Sequence, residues 1–150
     1  MIRNLVAMLT GQLGGALAIG LVQSVSVSMY PPAPGADLQD PAQLAQFVAS
    51  MPLGAFAMLE LSYICGSFIG GFVTASIATE RHIAYATVVG LAFTVAGCVN
   101  LFTIPHPIWV ALMTTLTYVP LCYLGARLAL KVSGKPKTAA EDEATVAIAE

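Results

Sequence analysis

Apolar residues dominate four long stretches of the chain, and polar residues are concentrated in the segments between them. The four stretches cover about residues 5–30, 53–78, 83–103 and 108–130. Each is longer than the roughly 18 apolar residues with which a helix can cross the ~30 Å hydrocarbon core of a bilayer. The pattern therefore predicts an all-α fold, an integral membrane four-helix bundle over residues 1–132.

The segment between the first two stretches, residues 31–52, predicts a further short helix rather than a plain linker. Asp40 is well placed to accept from the free N–H groups of a first helical turn, and Pro41 suits its first position. Four apolar residues then follow at the spacing of one helical face, namely Leu44, Phe47, Val48 and Met51. Because about ten residues cannot cross a bilayer, we expect an amphipathic helix over residues 41–51 that lies in the membrane interface on that face.

The basic residues fall on one side of the predicted bundle. They are Arg3, Arg81, Arg127, Lys131, Lys135 and Lys137. Since the cytoplasmic flanks of membrane helices collect Lys and Arg, both termini are expected in the cytoplasm and residues 31–52 on the outer face. Residues 133–150 are expected to form a mobile cytoplasmic tail. In an alternative, the first stretch is a cleaved secretory signal, which would leave three spans.

Composition narrows the classes of function without naming one. The 150 residues are 57% hydrophobic and 9% charged, with a net charge of −2 and three cysteines in separate apolar stretches. The sequence contains no paired-cysteine motif, metal-ligand pattern or phosphate-binding loop, and its charge disfavours nucleic-acid binding. We therefore expect no metal, cofactor or nucleic acid, and an enzyme is the least favoured class. The expected partners are the lipid bilayer and either a second copy of the chain or another membrane protein.

The first two stretches carry small residues four positions apart. Helices in lipid have no hydrophobic drive toward one another, so they associate where small residues let their backbones approach. The glycines expected at helix contacts are Gly11, Gly15 and Gly20 in the first stretch and Gly66, Gly70 and Gly71 in the second. Two interpretations stay open, namely contacts within the monomer and association of two copies.

One ionisable residue, Glu60, lies well inside a predicted span. Such residues are costly in lipid and are functional hypotheses by default. Polar residues at a similar depth come from the other three spans, and they are Gln23, Asn100, Thr114 and Tyr118. The five side chains fit either an interhelical hydrogen-bond cluster or an outward-facing pocket for a lipid headgroup, amphiphile or cation, roofed by the helix over residues 41–51.

Several segments together resemble a family of small bacterial four-helix inner-membrane proteins of unknown function. These segments are MIRN, PPAPGADL, GSFIGG, NLFTIPHPIW and YVPLCYLGARLA, and the likeness extends from Arg3 to Ala129. An outer-loop motif is matched by Pro31 to Asp37, and an Asn followed by a Pro-x-Pro-x-Trp turn is matched by Asn100 and Trp109. Trp109 is also expected to be an interfacial anchor. The resemblance implies the architecture and a bacterial inner membrane, but no activity.

Two functional hypotheses follow from these features. The leading one is a non-enzymatic scaffold or accessory subunit that associates through its small-residue helix faces. The alternative is a small transporter or a lipid- or amphiphile-binding protein with an outward-facing polar pocket around Glu60. Glu60→Gln should preserve the fold under both hypotheses, and only the second predicts a changed ligand or transport phenotype.

Overall fold

A computed structural model describes residues 2–104 and 106–134, apart from the side chain of Phe102. These residues form five α-helices and no strand. The helices are α1 Ile2–Met29, α2 Pro41–Ser50, α3 Leu53–Ile77, α4 His82–Thr103 and α5 Ile108–Ser133. The predicted all-α class is thus confirmed, whereas nearly all of the tail predicted over 133–150 lies outside the described residues.

Four of the helices, α1, α3, α4 and α5, are long and apolar enough to cross a membrane. Their outward faces carry large apolar side chains, for example Leu17, Leu21 and Leu116, which are 69%, 70% and 70% exposed. Soluble monomers rarely expose apolar surface of this extent, whereas lipid covers it without cost. The chain is therefore a multi-pass membrane protein.

Short turns place successive spans side by side with alternating direction. Residues 78–81 join α3 to α4, and residues 104–107 join α4 to α5. Arg3 Nε donates to the carbonyl of Ile77 at 3.1 Å, and the buried Asn4 accepts from the Thr79 N–H at 3.0 Å. The start of α1, the 78–81 turn and the end of α5 thus share one end of the bundle, here called the terminal end. The opposite end carries α2 and is called the α2 end.

The helix α3 is central and contacts all three other spans. On the side of α1, a Cβ added to Gly11 would lie 2.6 Å from the carbonyl oxygen of Gly70, and one added to Gly15 would lie 2.6 Å from that of Gly66. The two backbones therefore touch through these four glycines. Gly20, which was expected to share this role, differs, because a Cβ there would meet no atom within 4 Å.

On the side of α5, α3 also makes backbone contact. A Cβ added to Gly71 would overlap the main chain of Cys122, and one added to Gly125 would overlap the carbonyl oxygen of Phe68. Two different faces of α3 thus hold two neighbouring helices at a distance that only glycine permits.

The buried side chains are small at the terminal end and larger in the middle of the bundle. At the terminal end the buried cluster consists of alanines, Ala75, Ala86, Ala126 and Ala129. In the middle it consists of larger side chains, Tyr63, Val89, Phe93, Tyr118 and Cys122.

Alanine at Gly71 should weaken the fold, while alanine at Gly20 should not. The added methyl at Gly71 meets main-chain atoms that cannot move away, and overpacking of this kind costs about 1–3 kcal/mol. At Gly20 the methyl has open space, and helix propensity favours Ala over Gly by up to about 1 kcal/mol. The measurement is reversible unfolding in mixed micelles of both variants. Equal free energies of unfolding would contradict the backbone contact between α3 and α5.

Candidate functional site

The helix α2 lies against the α2 end of the bundle, held there by apolar side chains. Its Val48, 5% exposed, packs with Phe56 of α3 and Val110 of α5, and Leu44 and Met51 are partly buried against the same cluster. These contacts use the apolar face that the spacing of the sequence predicts. α2 therefore covers the space below it as a roof.

The first turn of α2 is fixed by side chains of the preceding loop. The Asp40 carboxylate accepts from the N–H of Ala42 at 2.9 Å and from the side-chain amide of Gln43 at 3.1 Å. These hydrogen bonds hold the pKa of Asp40 below its ordinary value, and the bond from the backbone N–H of Ala42 has the largest effect. Gln43 Oε1 also accepts from the N–H of Asp37 at 2.9 Å. The loop and α2 are thereby joined at the point where the helix begins.

Trp109 lies at the rim of the same end. It is 47% exposed and contacts Phe56 edge to face, with the ring centroids 5.8 Å apart. A partly exposed indole anchored on a buried ring suits a position at the membrane–water interface.

Beneath α2 the structure contains a cavity of about 280 Å³. α1 and α4 contact near Gly15 and Phe93, but farther toward the α2 end their residues Gln23 and Asn100 line the cavity instead. α3 supplies the floor and α2 the roof. The lining residues are Gln23, Ser26, Val27, Leu44, Phe47, Val48, Met51, Ala55, Leu59, Tyr63, Asn100, Ile104 and His106.

Three side chains give the cavity a polar region. Tyr63 of α3 and Asn100 of α4 both line this space. Gln23 Nε2 donates to Ser62 Oγ over 3.5 Å, a long and weak bond. A side-chain amide offers two N–H donors and an acceptor oxygen. Gln23 and Asn100 therefore keep hydrogen-bonding capacity that their protein contacts do not use.

Among the described residues, the cavity lining includes no Asp, Glu, Lys or Arg. The lining also includes the polar Ser26 and His106, and His106 Nδ1 lies 2.8 Å from the carbonyl oxygen of Ile104. Because a carbonyl oxygen can only accept, Nδ1 carries the proton. Nε2 is then the ring nitrogen left for another partner.

The five residues expected in one polar cluster separate into two groups. Gln23 and Asn100 line the cavity, whereas Glu60, Thr114 and Tyr118 do not. A step of one residue turns a helix by about 100°. Glu60, one position after the cavity-lining Leu59, accordingly points toward α5. The cavity beneath α2 thus lies beside Glu60, and a pocket around Glu60 itself stays a prediction.

Glu60 instead joins α3 to α5. Its Oε2 accepts from Thr114 Oγ1 at 2.9 Å, and its Oε1 accepts from Thr117 Oγ1 at 2.5 Å. Thr117 Oγ1 also lies 2.8 Å from the carbonyl oxygen of Met113, so its single hydroxyl proton is shared between these two acceptors. This geometry matches the interhelical hydrogen-bond interpretation of Glu60 and adds Thr117 to it.

Tyr118 belongs to the core of the bundle. It is 3% exposed and contacts the rings of Tyr63 and Phe93, with centroid distances of 5.5 and 6.0 Å. Of these aromatic residues only Tyr63 reaches the cavity. Tyr118 therefore packs against the cavity-lining Tyr63 without lining the cavity itself.

Three polar residues of the cavity, Ser26, Tyr63 and His106, escaped the sequence prediction. Helical spacing was an available signal for the first two, because Ser26 lies three residues after Gln23 and Tyr63 lies four after Leu59. His106 precedes α5 in a turn, and a lone histidine there gives no periodic signal.

Within residues 2–104 and 106–134, no group of three His, Cys, Asp or Glu side chains could hold a metal ion. The three cysteines are free thiols, and the buried Cys122 donates to the carbonyl of Ser67 at 3.0 Å. The arrangement in the cavity is one of hydrogen-bonding and apolar groups, which suits binding.

Comparisons with protein-family models, curated proteins and solved structures find no match to this chain. The resemblance to small bacterial four-helix proteins therefore stays a prediction.

Glu60→Gln should leave stability nearly unchanged, whereas Glu60→Leu should lower it. Glutamine keeps an acceptor oxygen within reach of the two threonines, but leucine keeps none, and interhelical hydrogen bonds in membranes average about 0.6 kcal/mol. The measurement is the free energy of unfolding in mixed micelles, with Thr114→Val as a second variant that removes one donor. Equal stability of the leucine and glutamine variants would show that the carboxylate does not join α3 to α5.

Proposed function

We propose that the chain is a small membrane protein that binds an amphiphilic molecule beneath α2. The observation that carries the proposal is the lining of the cavity, where Gln23, Asn100 and Tyr63 lie beside the apolar Leu59 and Phe47. Binding sites for small molecules are mostly apolar, with a few polar groups that fix orientation. A molecule with one polar end and one apolar end satisfies both parts of this lining.

The size of the cavity limits how much of such a molecule it accepts. Its volume of about 280 Å³ is near the lower limit of ligand sites, which run from roughly 300 to 1,000 Å³. A headgroup and the beginning of one chain fit this space better than a complete two-chain lipid. The rest of the chain would then lie outside the cavity.

The distribution of charge supports an outward-facing site. Arg3, Arg81, Arg127 and Lys131 lie toward the terminal end, while the α2 end of the described chain has no Lys or Arg. By the preference of cytoplasmic flanks for cations, both termini are cytoplasmic and α2 lies on the outer surface. We place the protein in a bacterial inner membrane, as the resemblance implies.

A scaffold or accessory subunit is the second candidate. The glycines of α1 and α3 that touch each other are already used within the monomer. A separate small-residue stripe on α1 is exposed, however, and it consists of Ala16, Gly20, Ser24 and Ser28. This stripe, rather than Gly11 or Gly66, is the face on which a second helix could associate.

Ser26→Phe should empty the cavity of its ligand, because the larger side chain occupies the space that Ser26 lines. The measurement is native mass spectrometry on protein extracted in polymer-bounded nanodiscs, which retain lipids without added detergent. We expect a bound amphiphile on the unmodified chain and its loss from the variant.

Ser28→Phe is the matched control, since Ser28 is exposed on the same helix and does not line the cavity. It should retain the amphiphile. A bound species that survives Ser26→Phe, or an unmodified chain that carries none, would refute binding beneath α2. Loss of a dimer in the Ser28 variant would favour the scaffold.

A further inference from the structure

We infer that the ligand beneath α2 is a neutral single-chain amphiphile whose headgroup carries hydroxyl or amide groups. The inference rests on the proposed function and specifies the chemistry that the site recognises. It follows from the charges and hydrogen-bonding groups that surround the cavity.

A charged headgroup would find no Asp, Glu, Lys or Arg to serve as its counter-ion in this cavity. None of the described lining residues is Asp, Glu, Lys or Arg. Moving an ion out of water into such a site is costly unless an opposite charge or several hydrogen bonds compensate for it. The site thus discriminates against carboxylates, phosphates and quaternary ammonium groups.

The charged groups near the α2 end are engaged elsewhere. Glu60 accepts from Thr114 and Thr117 on the side of α5. Asp37 accepts from the N–H of Gln39, and Asp40 accepts at the start of α2, so both belong to the loop and not to the cavity. The cations Arg3, Arg81, Arg127 and Lys131 lie toward the terminal end.

The polar groups that do line the cavity suit a neutral partner. The amides of Gln23 and Asn100 offer donors and acceptors, and the Tyr63 hydroxyl can do both. A hydroxyl or amide headgroup also donates and accepts, so it can bond to these side chains in complementary directions. A carboxylate can only accept hydrogen bonds, and a quaternary ammonium group can neither donate nor accept them. Either headgroup would therefore leave some of these side-chain groups unpaired.

The apolar part of the lining fits one chain. Val27, Leu44, Phe47 and Leu59 come from α1, α2 and α3 and lie around the same space as the amides. Close placement of polar and apolar walls within about 280 Å³ leaves room for a single alkyl chain beside the headgroup. Fatty alcohols, monoacylglycerols and fatty amides form the chemical class that meets these conditions.

The test uses three amphiphiles with the same twelve-carbon chain in phospholipid nanodiscs at pH 8. The probe is a monolauroyl glycerol that carries a photoreactive diazirine on its chain, and the labelled residues are mapped by mass spectrometry. The competitors are unlabelled monolauroyl glycerol, laurate and dodecyltrimethylammonium. We expect labelling of the lining residues, with the neutral competitor effective at a mole fraction at least about tenfold lower than either ion.

Asn100→Leu should reduce this preference to less than about threefold, because the variant loses an amide that recognises the headgroup. Thr103→Leu is the control, since Thr103 is exposed on the same helix and its hydroxyl bonds to the carbonyl of Val99. It should keep the full preference. Asn100→Gln, which retains an amide, should keep most of it.

Two results would overturn the inference in different ways. Specific labelling of the cavity with equal or better competition by laurate or dodecyltrimethylammonium would leave the proposed function intact and refute a neutral ligand. Labelling spread over the lipid-facing surface, with no competition by any of the three compounds, would refute binding beneath α2 and the neutral ligand with it.

Discussion

The contact of α3 with the backbones of α1 and α5 is the constraint on which the rest of the structure depends. In lipid, helices gain nothing from burying apolar side chains against one another, so close packing of their main chains has to hold them together. Gly11 and Gly15 meet Gly70 and Gly66 on one side of α3, and Gly71 meets Cys122 on the other. α3 is thereby fixed between two neighbours, and the positions of the other helices follow from it.

The cavity arises because the close contacts between the spans run from the terminal end to the middle of the bundle and not to the α2 end. The glycines and the alanine cluster hold the spans together from the terminal end to the middle, where Phe93 reaches Gly15. Toward the α2 end α1 carries Gln23 and α4 carries Asn100, and neither is drawn into a tight backbone contact. Space remains there, and α2 closes it with Val48. The same chain thus has a closely packed half that fixes the fold and a half with a cavity that can receive a ligand.

The sequence predicts the elements well because their signals are local. Apolar length indicates the four spans, and Asp40 with Pro41 indicates the start of α2. The composition of the site depends on helix rotation and on which neighbour each face meets, and a single sequence does not contain that information. Glu60 illustrates the difference, because its depth is evident from the sequence but its direction toward Thr114 is set by the packing of α3 on α5. Gly20 likewise fits the spacing of a contact face, although helix rotation places it on the exposed face of α1.

The most direct test of the account is anomalous diffraction from crystals grown with a monoacylglycerol that is brominated next to its headgroup. The account predicts a bromine peak beneath α2, between Phe47 and Leu59 and within reach of Asn100 and Gln23. Bromine found only along the outer faces of the spans, with α2 in place above an unlabelled cavity, would contradict it.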